Sequence, residues 1–149
     1  MNITEFQQRD KFAVLLGIEL LEAANGNAKA RLLIKPEHLN GVDNAFGGVI
    51  FSLADFTLAA AANSHGNVAV SINSSIYFLQ AAQQETIFAE ATETSLNHKL
   101  ATYTVNITNQ QGALIATMQG MVYRKKERYW LLLVVIDGHL WSLKVIDCH

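Results

Sequence analysis

The sequence predicts an α+β fold in which an antiparallel sheet wraps one long apolar helix. Three observations predict it. The run GGVIFSLADFTLAAAANSHG, from Gly47 to Gly66, is helical in character and carries one carboxylate, Asp55, among apolar and small residues. The segments Thr86 to Leu96 and Leu100 to Thr108 alternate polar and apolar side chains, the period of half-buried strands. Asn25-Gly26 joins two β-prone runs, a strong hairpin signal. A hairpin, one buried helix and an antiparallel meander make an α+β domain.

Taken in order, residues 2–13 predict a short helix with Phe6 and Phe12 partly buried. Gly17 to Ala24 reads as a strand. Its partner is Ala28 to Lys35, where Ala30, Leu32 and Ile34 alternate with Lys29, Arg31 and Leu33. Residues 36–45 hold Pro36, Gly41, Asp43 and Asn44, and form a loop. The helix runs from about Phe46 to Ser64 and stops at Gly66, a helix-ending residue. Val68 to Leu79 is a strand rich in β-branched residues and Ser. In Leu100 to Thr108, Tyr103, Val105 and Ile107 face one way, and Thr102, Thr104, Asn106 and Thr108 the other. Asn109 to Gly112 is a turn, and Ala113 to Arg124 the next strand. Residues 1–126 form one domain without repeats or linkers.

Residues 127–149 are a separate tail. Two apolar β-prone runs, YWLLLVVI and HLWSLKVI, flank Asp137-Gly138. The tail is either a β-hairpin or a non-native extension such as a reading-frame artefact. Both readings stay open.

At 149 residues the chain can bury a substantial core. Half of its residues are hydrophobic and 16% are charged, which excludes disorder. A net charge of −2 gives no footprint for nucleic acid. The central run is interrupted by Ser52, Asp55 and Thr57, and is shorter than the roughly 20 residues a membrane span needs. The one cysteine, Cys148, rules out a disulfide framework and fits a reducing, cytoplasmic location.

Asp55 is the principal candidate for chemistry. A carboxylate in an apolar helix is costly unless it is paired, hydrogen-bonded or used. The helix opens on Gly47-Gly48, where free N–H groups and the helix dipole favour negative charge. A desolvated carboxylate and an oxyanion-binding turn are two parts of an acyl-transfer site. The bland readings are a satisfied buried carboxylate for Asp55 and close helix–sheet packing for the glycine pair. Asn40 fits a turn role and a site role equally. His38, His65 and His98 lack HxH or HExxH spacing, so no metal is expected. Lys99, with Arg124 and Lys125, suits either a phosphate contact or a solvated strand end. There is no GxGxxG, GxxxxGK[ST] or GxSxG, which removes nucleotide-binding and serine-hydrolase readings.

Asn40-Gly41, Gly47-Gly48, Leu53-Ala54-Asp55, Asn63-Ser64-His65-Gly66 and Phe78-Leu79 occur in an order and spacing that resemble the hotdog-fold acyl-CoA thioesterases of the phenylacetate-degradation (PaaI-like) type. The resemblance covers about residues 10–126. It implies a hotdog fold and hydrolysis of an acyl-CoA or aryl-CoA to the free acid and CoA, without a cofactor. It implies Asp55 as general base or nucleophile and the Gly47 N–H as the group polarising the thioester carbonyl. Asn40 would place the water or the carbonyl. Phe46, Gly48, Asn63, Ser64 and Lys99 would contact substrate. The site would be shared between copies in a homo-oligomer, a dimer or a homotetramer built as a dimer of dimers. Geometry agrees: Gly47 and Asp55 are roughly 12 Å apart along a helix, too far to reach one thioester within one chain. Two departures stand out. Phe46 replaces the pattern's His and cannot hydrogen-bond, and Gln80-Ala81 replaces a frequent Pro. A non-catalytic acyl-CoA-binding protein is the alternative. A dehydratase, which pairs His with a carboxylate, fits least.

Overall fold

The computed structural model describes residues 3–125, 129–136 and 139–146. It begins with two short helices, α1 (Ile3–Arg9) and α2 (Lys11–Leu16). The single helix expected over 2–13 is broken at Asp10. Asp10 adopts φ −82°, ψ 90°, and its carboxylate accepts a hydrogen bond from the Ala13 N–H at 3.0 Å, capping α2. Gly17, expected to open a strand, instead ends α2 in the left-handed region at φ 79°. Phe6 is half-buried against Phe56, with ring centroids 5.7 Å apart. Phe12 is exposed, against expectation, because the break at Asp10 turns it outward.

The strands are β1 (Glu19–Ala24), β2 (Asn27–Leu33), β3 (Ala69–Phe78), β4 (Thr86–Leu96), β5 (Leu100–Thr108) and β6 (Leu114–Arg124). Asn25 and Gly26 both take positive φ, as a two-residue hairpin turn requires. The sheet order is β1-β2-β4-β5-β6-β3, with every neighbour antiparallel. The meander therefore comprises only β4, β5 and β6. β3 crosses to the far edge and pairs with β6, because β4 pairs with β2.

The helix α3 (Gly47–Asn63) packs across the inner face of this sheet. Leu53, Ala54, Leu58 and Ala61 bury completely against Leu32, Ala89, Val105, Ile107 and Met118. The short alanine side chains keep the helix close to the strands. Tyr103, Val105 and Ile107 point inward as their alternation predicts. β7 (Tyr129–Ile136) and β8 (His139–Ile146) pair antiparallel as a separate two-stranded sheet, from Tyr129↔Ile146 to Ile136↔His139. The turn expected at 137–138 lies outside the described residues.

Candidate active site

Asp55 sits in the third turn of α3 and is half-buried, among neighbours that bury fully. The Ser71 hydroxyl, on β3, donates to Asp55 Oδ1 at 3.2 Å. Burial pushes the Asp55 carboxyl above the usual aspartate range. The Ser71 hydrogen bond opposes that shift, and the nearby Asp10 carboxylate adds to it. A cavity of about 110 Å³ opens at this carboxylate, walled by Asp10, Phe12, Ile18, Phe51 and Ser52.

Gly47 lies at the other end of the same helix, in its first turn. Phe46 is the N-cap residue, extended and without a side-chain cap. Its N–H donates to the His38 carbonyl at 2.8 Å, and its own carbonyl accepts from Val49 and Ile50. The N–H groups of Gly47 and Gly48 find no acceptor among the described residues. They are donors at the positive end of the helix dipole. A second cavity, of about 330 Å³, opens there, walled by Asn40, Gly47, Ile50, Phe78 and Leu79. Asn40 fills the turn role and is a wall residue of this cavity. Its Oδ1 accepts from the Val42 and Asn44 N–H groups at 3.0 and 3.2 Å, which fixes the turn. Its Nδ2 has no acceptor among the described residues.

The two cavities share no wall residue. Within one chain, Asp55 and Gly47 therefore open into different spaces. Phe46 lines neither cavity; its ring is exposed and lies over Gly48. Asn63 and Ser64 lie at the far end of α3, and their side chains are occupied. Asn63 bonds the Ala59 carbonyl and both backbone groups of Ala69. Ser64 donates to the Ala61 carbonyl and accepts from the Gly26 N–H. Lys99 is exposed in the β4–β5 turn, and its carbonyl accepts from the Arg124 N–H at 2.8 Å. None of these three approaches Asp55 or Gly47. A larger depression, of about 350 Å³, lies on the outer face of the sheet. Its charges are already paired, Lys29 with Glu22 at 3.5 Å and Glu90 at 3.3 Å, and it holds none of the candidate residues.

The sequence reading missed Ser71, Asp10 and Phe78 as neighbours of the site. Only a polar residue between Val70 and Ile72 hinted at Ser71. A further polar cluster stands outside both cavities. Glu93 accepts at one oxygen from Tyr103 Oη at 2.7 Å and faces His65 Nε2 at 2.6 Å. Its carboxylate and burial push the Tyr103 phenol upward, burial first. Among the described residues, no group of three or more His, Cys, Asp or Glu side chains is placed to hold a metal. No described helix is long and apolar enough to cross a membrane.

An antiparallel sheet wrapped on one long apolar helix is the hotdog fold. The profile of the Thioesterase superfamily matches residues 43–116. A protein of Archaeoglobus fulgidus that carries an esterase name is 43% identical over 123 residues, 82% of this chain and 80% of that one. The acyl-coenzyme A thioesterase PaaI of Escherichia coli is 32% identical over 124 residues, 83% of this chain and 89% of its own length. The structure of E. coli PaaI superposes with a TM-score of 0.81 at 31% identity, covering 84% of this chain and 91% of that one. The chain belongs to the thioesterase superfamily, in its PaaI-like branch.

Proposed function

We propose that this thioesterase hydrolyses acyl-CoA, aryl-CoA included, with Asp55 and Gly47 as the reacting pair. One observation carries the reading. Asp55 is a carboxylate with a raised pKa, steadied by Ser71, at the mouth of a cavity with aromatic walls. Asp55 takes a proton from water, and the water oxygen bonds to the thioester carbon. The carbonyl oxygen becomes an oxyanion facing the Gly47 N–H. The C–S bond then breaks, and the CoA thiolate takes the proton. In the alternative route Asp55 itself attacks, giving an anhydride that water opens; 18O transfer into Asp55 in a single turnover separates the two. Asn40 Nδ2 is the assigned donor to water or carbonyl, and Lys99, Arg124 and Lys125 are the assigned contacts for the CoA phosphates.

The reading takes Asp55 from one copy and Gly47 from another, in a dimer or dimer of dimers. What supports this is the pair of cavities without a common wall and the roughly 12 Å between the two residues along α3. The edge strand β3 adds to it, since Val70, Ile72, Tyr77 and Phe78 are exposed along it. The test is thiol release from a panel of short, long and aryl-CoA thioesters. Turnover in the wild type that Asp55→Asn reduces by about 10² to 10⁴ supports the reading. Binding of acyl-CoA without turnover defeats it in favour of a non-catalytic binding protein.

A further inference from the structure

Two phenyl rings flank the first turn of α3, one on each of its opening residues. A methyl group built on Gly47 would lie 3.2 Å from Phe78 Cζ. One built on Gly48 would lie 2.6 Å from Phe46 Cε1. A side chain at Gly48 would force the Phe46 ring aside, and one at Gly47 would press on the Phe78 ring. The rings have separate origins: Phe46 is the N-cap residue and Phe78 ends β3. The N–H groups of the same two glycines have no acceptors among the described residues. Phe78 also walls the adjoining cavity beside Ile50 and Leu79, so that side of it is apolar.

We propose that Phe46 and Phe78 are paired positioning residues that dry the first turn of α3. The thioester carbonyl then meets the Gly47 N–H in a slot bordered by the edges of the two rings. This rests on the role given to Gly47 above. A fixed N–H dipole acts more strongly on a charge when water is excluded. The gain is larger for the developing oxyanion than for the neutral carbonyl, so it accrues to the transition state. Phe46 thereby gives the departure from the pattern's His a chemical meaning. The site exchanges a hydrogen-bonding imidazole for exclusion of water. The slot suits acyl groups whose carbons next to the carbonyl are apolar, and disfavours those with a charge close by.

The experiment measures kcat and KM for butyryl-CoA and succinyl-CoA in the wild type, Phe46→Ala, Phe78→Ala, Phe78→Leu, Gly48→Ala and Gly47→Pro. The rings are 58% and 52% exposed, so truncation leaves the core intact, and thermal melting checks that. Both ring-to-Ala variants should lose about tenfold in kcat, with a smaller change in KM. Phe78→Leu, which keeps an apolar wall, should retain most of the rate. Gly48→Ala, which displaces the Phe46 ring without removing it, should fall as Phe46→Ala does. Butyryl-CoA should lose its advantage over succinyl-CoA in the Ala variants. Unchanged kcat, a change confined to KM, or equal losses for Phe78→Leu and Phe78→Ala would overturn the proposal. If Gly47→Pro is as active as the wild type, the role of Gly47 itself fails. An active wild type with an impaired Gly47→Pro and unaffected ring variants overturns the rings alone. A wild type inert on every thioester overturns both.

Discussion

Ser71 Oγ donates to Asp55 Oδ1 at 3.2 Å, and so joins the edge strand of the sheet to the carboxylate of the central helix. The bond stabilises the charged form of Asp55 against its burial. It makes β3, otherwise an exposed edge, part of the candidate site.

Removing that bond should move the pH profile in a fixed direction. The hydrogen bond lowers the Asp55 pKa, so Ser71→Ala raises it further. The acid limb of kcat/KM should shift to higher pH, with less effect on the plateau. A limb that stays in place, or moves to lower pH, would show that Ser71 does not tune Asp55.

Asp10→Asn should do the opposite. Asp10 raises the Asp55 pKa by charge repulsion, so a neutral side chain lowers it. Asn is as good an N-cap as Asp, so α2 keeps its start. The acid limb should move to lower pH at unchanged melting temperature. Equal limbs in wild type and variant would remove Asp10 from the electrostatics of the site.

Asp55→Asn should stabilise the fold while it disables the enzyme. The folded-state pKa is raised, so ionising Asp55 costs stability as pH rises above the ordinary aspartate value. The variant should melt higher than the wild type near neutral pH. The gap should close in acid, where Asp55 is protonated in both states. A lower melting temperature at neutral pH would mean that the carboxylate supports the fold.

Gly47→Pro removes the backbone donor. Proline is well suited to the first helical position, and its added ring also presses on Phe78, whose Cζ would lie 3.2 Å from the new Cβ; Phe78→Ala serves as the control for that contact. Phe46, at φ −61° and ψ 130°, already has a conformation compatible with a following proline. The variant should lose about 10² to 10³ in kcat. Mixed and re-equilibrated with Asp55→Asn, it should regain about a quarter of wild-type activity, through heterodimers with one intact site. No recovery, with mixed dimers confirmed by mass, would place Asp55 and Gly47 in sites that are not shared.

Tyr103→Phe tests the polar cluster away from both cavities. Glu93 would lose the phenol donor and keep His65. A loss of about 1 to 3 kcal/mol in unfolding free energy should appear without change in kcat. An altered kcat at unaltered stability would give this cluster a part in turnover.

Local patterning was readable where burial imposes it. β4 and β5 begin and end where their alternation says, and α3 spans residues 47–63 against an expected 46–64. Those elements bury one face or one side against the core, so side-chain period reveals them. β3 was visible as a strand, but its place was not, since an edge strand exposed on both faces carries no pairing signal. Asp55 announced itself by being costly in an apolar helix. Its neighbours did not: Asp10 and Ser71 reach it from other elements, through a break and a crossover that local sequence does not encode. Asn40 looked ambiguous because its oxygen fixes a turn while its nitrogen has no acceptor among the described residues.

The position of β3 also governs how the chain assembles. β1 with β2, and β4 through β6, can form early from neighbours close in sequence, but β3 pairs only with β6. A protein made from its N-terminus must hold β3 without a partner until β6 leaves the ribosome. During that wait Val70, Ile72, Tyr77 and Phe78 have no sheet to join, which leaves β3 open to self-association. Closing β3 onto β6 is a long-range step, as is the pairing of β2 with β4. The strand that completes the site is thus the last to be placed, and no nascent chain carries the Ser71–Asp55 contact before the sheet is whole.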